Sequence, residues 1–247
     1  MAKVKIHIIK LGGIKHNLDF EKIQKWRTSF FEIPSYIETI EALPNSILNT
    51  GEDGDPYYTD DQIRSIIGNT SQHQMVFALI NQPTESNFYA RIITKNCLLF
   101  SLYETAEIVL KNDFKIEHYI IQNLYLTASF YYRYINKSPT DLTDFIHQDI
   151  RGCLFDFNVH KEDLIFSLGN HTVCNTCKGK FDNSIVPLNF VDNIKCELKK
   201  IKKPLYYRLR DFIREEPIWS ILIGAFFTLA LNFLASYIFY LLFSRSK

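Results

Sequence analysis

The chain has almost no net charge: 28 Lys and Arg stand against 27 Asp and Glu in 247 residues. No global field therefore draws in a polyanion. Glycine is sparse, at nine residues, and Gly12-Gly13 reads as a turn, not as a loop that cradles phosphate. Disulfide frameworks need paired cysteines. This chain has five, Cys97, Cys153, Cys174, Cys177 and Cys196, with one tight Cys-x-x-Cys. That pattern suits a reducing compartment and a metal site. A metallopeptidase needs two histidines at i and i+4 and a carboxylate beside them. None of the seven histidines is followed by glutamate, so the His-Glu-x-x-His element is missing. The first ten residues lack the apolar run of a signal peptide, which leads us to expect that the N-terminal part stays in the cytosol.

The chain does carry a long apolar tail. From Pro217 to Phe243 no residue is charged, and this run exceeds the roughly 20 residues that cross a bilayer. Pro217 suits a first helical turn, Trp219 an interface, and Tyr237 and Tyr240 the opposite interface. Upstream lie Lys195, Lys199, Lys200, Lys202, Lys203, Arg208, Arg210 and Arg214; downstream only Arg245 and Lys247. The positive-inside rule then places the large domain in the cytosol, and the basic run reads as topology and headgroup contact, with a nucleic-acid patch as the sharper alternative. Ser220, Gly224, Thr228, Asn232 and Ser236 recur every four residues. Such steps drift about 40° each on an α-helix, giving one slowly winding stripe. Small and polar residues on a stripe allow helices to approach, and Asn232 at mid-span is costly against lipid. A helix–helix seam and a pore lining both fit Gly224, Thr228, Asn232 and Ser236.

Ahead of the tail the pattern is mixed. Val4–Ile9, Met75–Asn81, Tyr89–Thr94 and Cys97–Leu102 read as strands, and Asp163–Leu168 as another. Residues 31–42 look extended, and 51–56 form a turn. Phe20–Phe30 reads as an amphipathic helix, and Thr59-Asp60-Asp61 opens a helix that runs to Ile67. Ala106–Lys111, Asp141–Asp149 and a long apolar Ile116–Tyr134 complete the helices. Strands first and helices later favours an α+β layered domain. We divide the chain into residues 1–185 as a cytosolic domain, 186–216 as a basic juxtamembrane linker or helix, and 217–243 as the transmembrane helix.

The stretch with chemistry in it runs from His147 to Cys177. Three thiols and an imidazole, Cys153, Cys174, Cys177 and His147, suit tetrahedral zinc. Four protein ligands would close the shell and make the zinc structural. The spacing resembles archaemetzincins, which are zinc peptidase-like proteins. They carry His-Glu-x-x-His-x-x-Gly-x-x-His-Cys, then four residues, Cys-x-Met, and a later Cys-x-x-Cys. His147 matches the third histidine, Cys153 follows six residues later, and Cys174 and Cys177 follow at nearly the family interval. Gln148 stands where the first cysteine belongs, and Phe155 replaces the methionine. In Ile116–Tyr134 the order is reversed, Glu117-His118, with no second histidine. The resemblance implies a zincin-like fold whose peptidase centre is gone.

A degenerate zincin-like domain joined to one C-terminal membrane helix also resembles the membrane effector of the bacterial Hailong anti-phage system. There a nucleotidyltransferase makes a DNA oligomer that controls a tetrameric channel. The resemblance implies a homo-oligomer, a tetramer, in the bacterial inner membrane. It implies a nucleotide or short oligonucleotide signal and a channel lined by the four-residue stripe. Arg151, Lys161, Lys178 and Lys180 flank the cysteines and read as a solvated face or as phosphate contacts. A tail-anchored zinc hydrolase and a membrane-recruiting scaffold are the alternatives.

Overall fold

The computed structural model describes residues 2–34, 36–44, 49–50, 56–134, 145–147, 152–182, 186–187 and 189–244. The chain forms two compact units, Met1–Lys202 and Lys203–Lys247. In the first, the elements run β1 (Val4–Leu11), α1 (Phe20–Gln24), β2 (Phe31–Glu32), β3 (Glu38–Ile40), β4 (Asn49–Thr50), β5 (Pro56–Tyr57), α2 (Asp60–Ile67) and β6 (Met75–Ile80). Then follow β7 (Ala90–Thr94), β8 (Cys97–Ser101), α3 (Thr105–Lys111), α4 (Ile116–Tyr134), α5 (Leu164–Asn170), α6 (Asn175–Asp182) and α7 (Phe190–Leu198). The second unit holds α8 (Leu205–Glu215) and α9 (Pro217–Ser244).

The architecture is mixed α/β. β1, β6 and β8 run parallel at the centre of one sheet, with Ile6 opposite Met75 and Val76 opposite Cys97. β2 and β3 both pair with β1 in parallel, and β7 lies antiparallel on the edge beyond β8. β6 and β8 are buried at every position, as expected of strands covered on both faces. Alternation sends Ile6, Ile8, Phe77, Leu79, Leu98 and Phe100 into a large core that includes α4. The alternate residues, Ile9, Leu11, Val76, Ala78, Ile80 and Leu99, meet Ile63 of α2 on the opposite face.

Several expected elements hold. α2 begins in a full capping box, the Thr59 side chain accepting from Gln62 N–H and the Gln62 side chain from Thr59 N–H. α4 spans the expected residues. Two do not. The expected helix from Phe20 ends at Gln24. Beyond it Trp26 Nε1 donates to Tyr125 Oη at 2.9 Å, and Ser29 N–H donates to Glu197 Oε1 at 2.9 Å. Distant elements thus hold this segment out of the helix and lead Phe30 and Phe31 to the sheet edge, where Val4 N–H bonds the Phe30 carbonyl. The expected strand from Asp163 to Leu168 is instead helix α5. Its buried residues, Leu164, Ser167 and Leu168, fall at i, i+3 and i+4, a helical period that a six-residue apolar run conceals. Most of the expected turn at residues 51–56, and most of the expected helix at 141–149, lie outside the described residues.

Candidate metal centre

Four donor side chains converge from three segments. His147 is tied to the segment after Cys153: its N–H donates to the Phe155 carbonyl at 3.1 Å, and its carbonyl accepts from Phe157 N–H at 2.8 Å. That segment is tied in turn to Thr172. Leu154 N–H donates to the Thr172 carbonyl at 2.8 Å, and Thr172 Oγ1 donates to the Gly152 carbonyl at 2.5 Å. Cys174 stands just before α6 and Cys177 in its first turn. Backbone bridges therefore fix the spacing of all four donors before any ion is considered.

Gly152 makes the approach to Cys153 possible. Its φ is +94°, and a Cβ there would lie 2.8 Å from Asn170 Nδ2 and 3.3 Å from the Phe166 carbonyl. Side chains rarely adopt that conformation and would find no space in it. Phe155 is fully buried between Phe145 and Phe181, with ring centroids 5.4 and 5.1 Å away.

One donor atom from each of His147, Cys153, Cys174 and Cys177 lies within 4.8 Å of all the others. Cys153 Sγ and Cys177 Sγ are 4.0 Å apart, and Cys174 Sγ and His147 Nε2 are 3.5 Å apart. A tetrahedral zinc shell has edges of about 3.8 Å between sulfurs and about 3.6 Å between sulfur and nitrogen, from its usual bond lengths. The donor set fits such an ion in both chemistry and span. Two backbone N–H groups point at the sulfurs, Cys174 N–H to Cys153 Sγ at 3.5 Å and Cys177 N–H to Cys174 Sγ at 3.4 Å. Such donors orient and stabilise thiolate ligands. The hydrogen bond shared with Cys177 pulls the Cys153 thiol down, against burial and with help from the Cys174 and Phe155 N–H groups. The same shared bond, then burial, pushes Cys177 up. A cation that replaced the shared proton would hold both sulfurs as thiolates.

The other sulfurs and imidazoles are elsewhere. Cys97 is buried in the second core, where burial pushes its thiol up to about 12. Cys196 is exposed. His171 Nε2 bonds the Ile201 carbonyl at 2.9 Å, and His118 is buried on α4.

Sequence reading missed the supports of the centre. The Tyr89 hydroxyl donates to the Phe157 carbonyl at 3.2 Å, and Asn158 Nδ2 donates to Tyr89 Oη at 3.2 Å and to the Asp156 carbonyl at 3.0 Å. These bonds tie the metal-side segment to the sheet edge. Burial raises the Asp156 carboxyl, against the pull of His147. Only Gly152, next to Cys153, carried a local signal. Of the flanking cations, Lys161 is committed to Glu104 at 3.0 Å and to Asn87 Oδ1 at 2.6 Å, and Lys178 pairs with Asp192 at 3.5 Å. Lys180 lends its carbonyl to Arg133 at 2.6 Å, and Arg151 lies outside the described residues.

In the second unit, α9 contains a span, Pro217–Tyr240, long and apolar enough to cross a membrane. Along its stripe, Ser220 Oγ donates to the Pro217 carbonyl at 2.7 Å and Thr228 Oγ1 to the Gly224 carbonyl at 2.9 Å. A Cβ on Gly224 would meet nothing within 4 Å. Asn232 and Ser236 are exposed on the same helix.

No protein-family model matches the sequence, and no curated relative matches it. Among solved structures, archaemetzincin from Methanopyrus kandleri overlays 80% of this chain and 96% of its own, at 9% identity and a TM-score of 0.46.

Proposed function

We propose that this chain is a non-catalytic membrane effector. Its zincin-like domain is stapled by a structural zinc and senses a signal, and its C-terminal helices assemble into a channel. The observation that carries this reading is α9. Its exposed face is apolar all round except for a stripe of small and polar residues. Ser220 and Thr228 spend their hydroxyls on their own helix, whereas the Asn232 amide has no partner among the described residues. In hydrocarbon an amide of that kind calls for a protein or water partner. Oligomerisation that gathers Gly224, Thr228, Asn232 and Ser236 around an axis supplies both.

A closed donor set supports the same reading against a hydrolase. His147, Cys153, Cys174 and Cys177 offer four ligands, which leaves no open position for water or substrate. The resemblance to the Hailong effector supplies the rest of the proposal: a homo-oligomer, a tetramer, in the bacterial inner membrane with the domain in the cytosol, gated by a nucleotide or short DNA oligomer during phage defence.

Ion flux through liposomes containing the purified chain tests the proposal. Flux is expected from the native chain and is expected to be lost in Asn232→Leu, with native mass unchanged at a tetramer. Normal conductance in Asn232→Leu removes the pore lining, and a monomeric native mass removes the channel. Hydrolytic activity abolished by His147→Ala with the fold intact would favour the enzyme instead.

A further inference from the structure

α8 is a second apolar surface that the anchor reading leaves unexplained. Leu205, Leu209, Phe212 and Ile213 recur at i, i+4, i+7 and i+8, with Tyr206 beside them, and cover an arc of about 120° on the helix. None is buried; Leu205 is 76% and Leu209 55% exposed. The opposite arc carries Arg208, Arg210, Asp211 and Arg214. Arg208 and Arg210 border the apolar arc on either side, where a long side chain can reach away from it to a charged plane. Asp211 is answered internally, by Lys203 at 2.8 Å, and that bond holds its carboxyl down. Between Lys199 and Glu216 seven cations stand against three carboxylates.

The junction with α9 gives this helix its setting. Only Glu216 separates the two, and its backbone is non-helical, at φ −128° and ψ 61°. Pro217 enforces that break, because a residue before proline is driven out of the helical region. α8 therefore leaves the axis of α9 at the very end of the apolar span. A helix starting there, apolar on one side and arginine-bordered on the other, has the form of one that lies in a bilayer surface.

We infer that α8 is an interfacial helix, lying in the headgroup layer with Leu205, Leu209, Phe212 and Ile213 toward the acyl chains and Arg208, Arg210 and Arg214 on acidic phospholipid headgroups. This rests on the reading of α9 as the membrane span. The occupant of the face is an acidic bilayer surface because the cation excess complements it and the face is continuous with the apolar helix one residue on.

Amide hydrogen exchange on the full chain, in nanodiscs of phosphatidylcholine with or without phosphatidylglycerol, tests it. In discs with the acidic lipid, α8 amides are expected to exchange at least about tenfold more slowly than in phosphatidylcholine alone. Leu209→Glu combined with Phe212→Glu is expected to abolish the protection in both lipids. Replacing Arg208, Arg210 and Arg214 with Gln is expected to remove only the difference between lipids, as is high salt. Protected α9 amides with α8 exchange indifferent to lipid charge overturn the inference alone. Fast exchange in α9 overturns the anchor, and the inference with it. Protection that tracks the number of chains per disc at fixed lipid assigns the face to a second copy and overturns it as well.

Discussion

Two long apolar helices, α4 and α9, sit in opposite surroundings. α4 has 19 residues, and fourteen of them are buried. α9 has 28, and none of the side chains described along it is buried. Their polar residues differ in the same way. In α4, Gln122 bonds Ser167 at 3.1 Å, Tyr125 donates to Glu197 at 2.6 Å and Tyr132 to the Phe30 carbonyl at 3.0 Å. These partners come from across the core, while Asn123, Thr127 and Ser129 of α4 bond carbonyls of their own helix. In α9 the bonds described for Ser220 and Thr228 go only to the helix's own carbonyls. A helix that carries its own interior to bond with is a core helix. One with no such partners among the described residues and an exposed apolar surface is long and apolar enough to cross a membrane.

Metal removal should separate the two regions most sharply. Chelation of the bound metal at pH 7 is expected to cost the first unit about 4 kcal/mol or more, a fall in Tm on the order of 10 °C. Calorimetry with metal analysis reads this, while α9 helicity in detergent stays unchanged. Loss of metal with Tm unaltered would break the structural-zinc proposal. Next is Leu124→Ala in α4, which opens a cavity in a fully buried position and should cost about 3 kcal/mol. Leu222→Ala in α9 should leave the unfolding of the first unit within about 0.5 kcal/mol, and equal losses would erase the distinction between the helices.

Gly152→Ala should cost about 2 kcal/mol, through the strained φ and the contact with Asn170. It should also weaken metal affinity, and a neutral result in urea titration would show that the loop yields. A smaller effect than that of Gly152→Ala concerns pH. Burial, with Lys22 and Lys115 nearby, lowers His118 to about 4, against the pull of Glu117. The folded state keeps this imidazole neutral, while the unfolded chain takes up a proton below pH about 6.5. Stability is therefore complete above pH about 6.5 and falls as the pH drops toward 4, by about 1 kcal/mol after solvent screening. Burial lowers His171 too, adding in the same direction. His118→Gln should flatten the slope of urea midpoint against pH, and an unchanged slope would move the effect to His171 or the carboxylates.

The core strands and α4 were legible because their patterns are local. β6 is a continuous apolar run, and α4 spans five turns, so neither needs a distant residue to define it. α1 and α5 were not. Trp26 and Ser29 are drawn out of helix by Tyr125 and Glu197, more than 90 positions away, and α5 is too short for its apolar run to reveal its period.

The candidate centre divides in the same manner. Soft donors at a Cys-x-x-Cys spacing named all four residues, because ligand chemistry is written in residue type. By itself the sequence determined the apolar tail and its stripe, the donor set and the apolar strands, since composition and period suffice for each. The tertiary structure alone decided that His147 Nε2 comes within 3.5 Å of Cys174 Sγ, 27 positions on, because the chain is folded back by the bridges through Phe155, Phe157 and Thr172. It alone decided that Lys161 and Lys178 are held in ion pairs with Glu104 and Asp192. Where a charge finds its partner depends on which surfaces meet, and that is settled only when the chain has closed on itself.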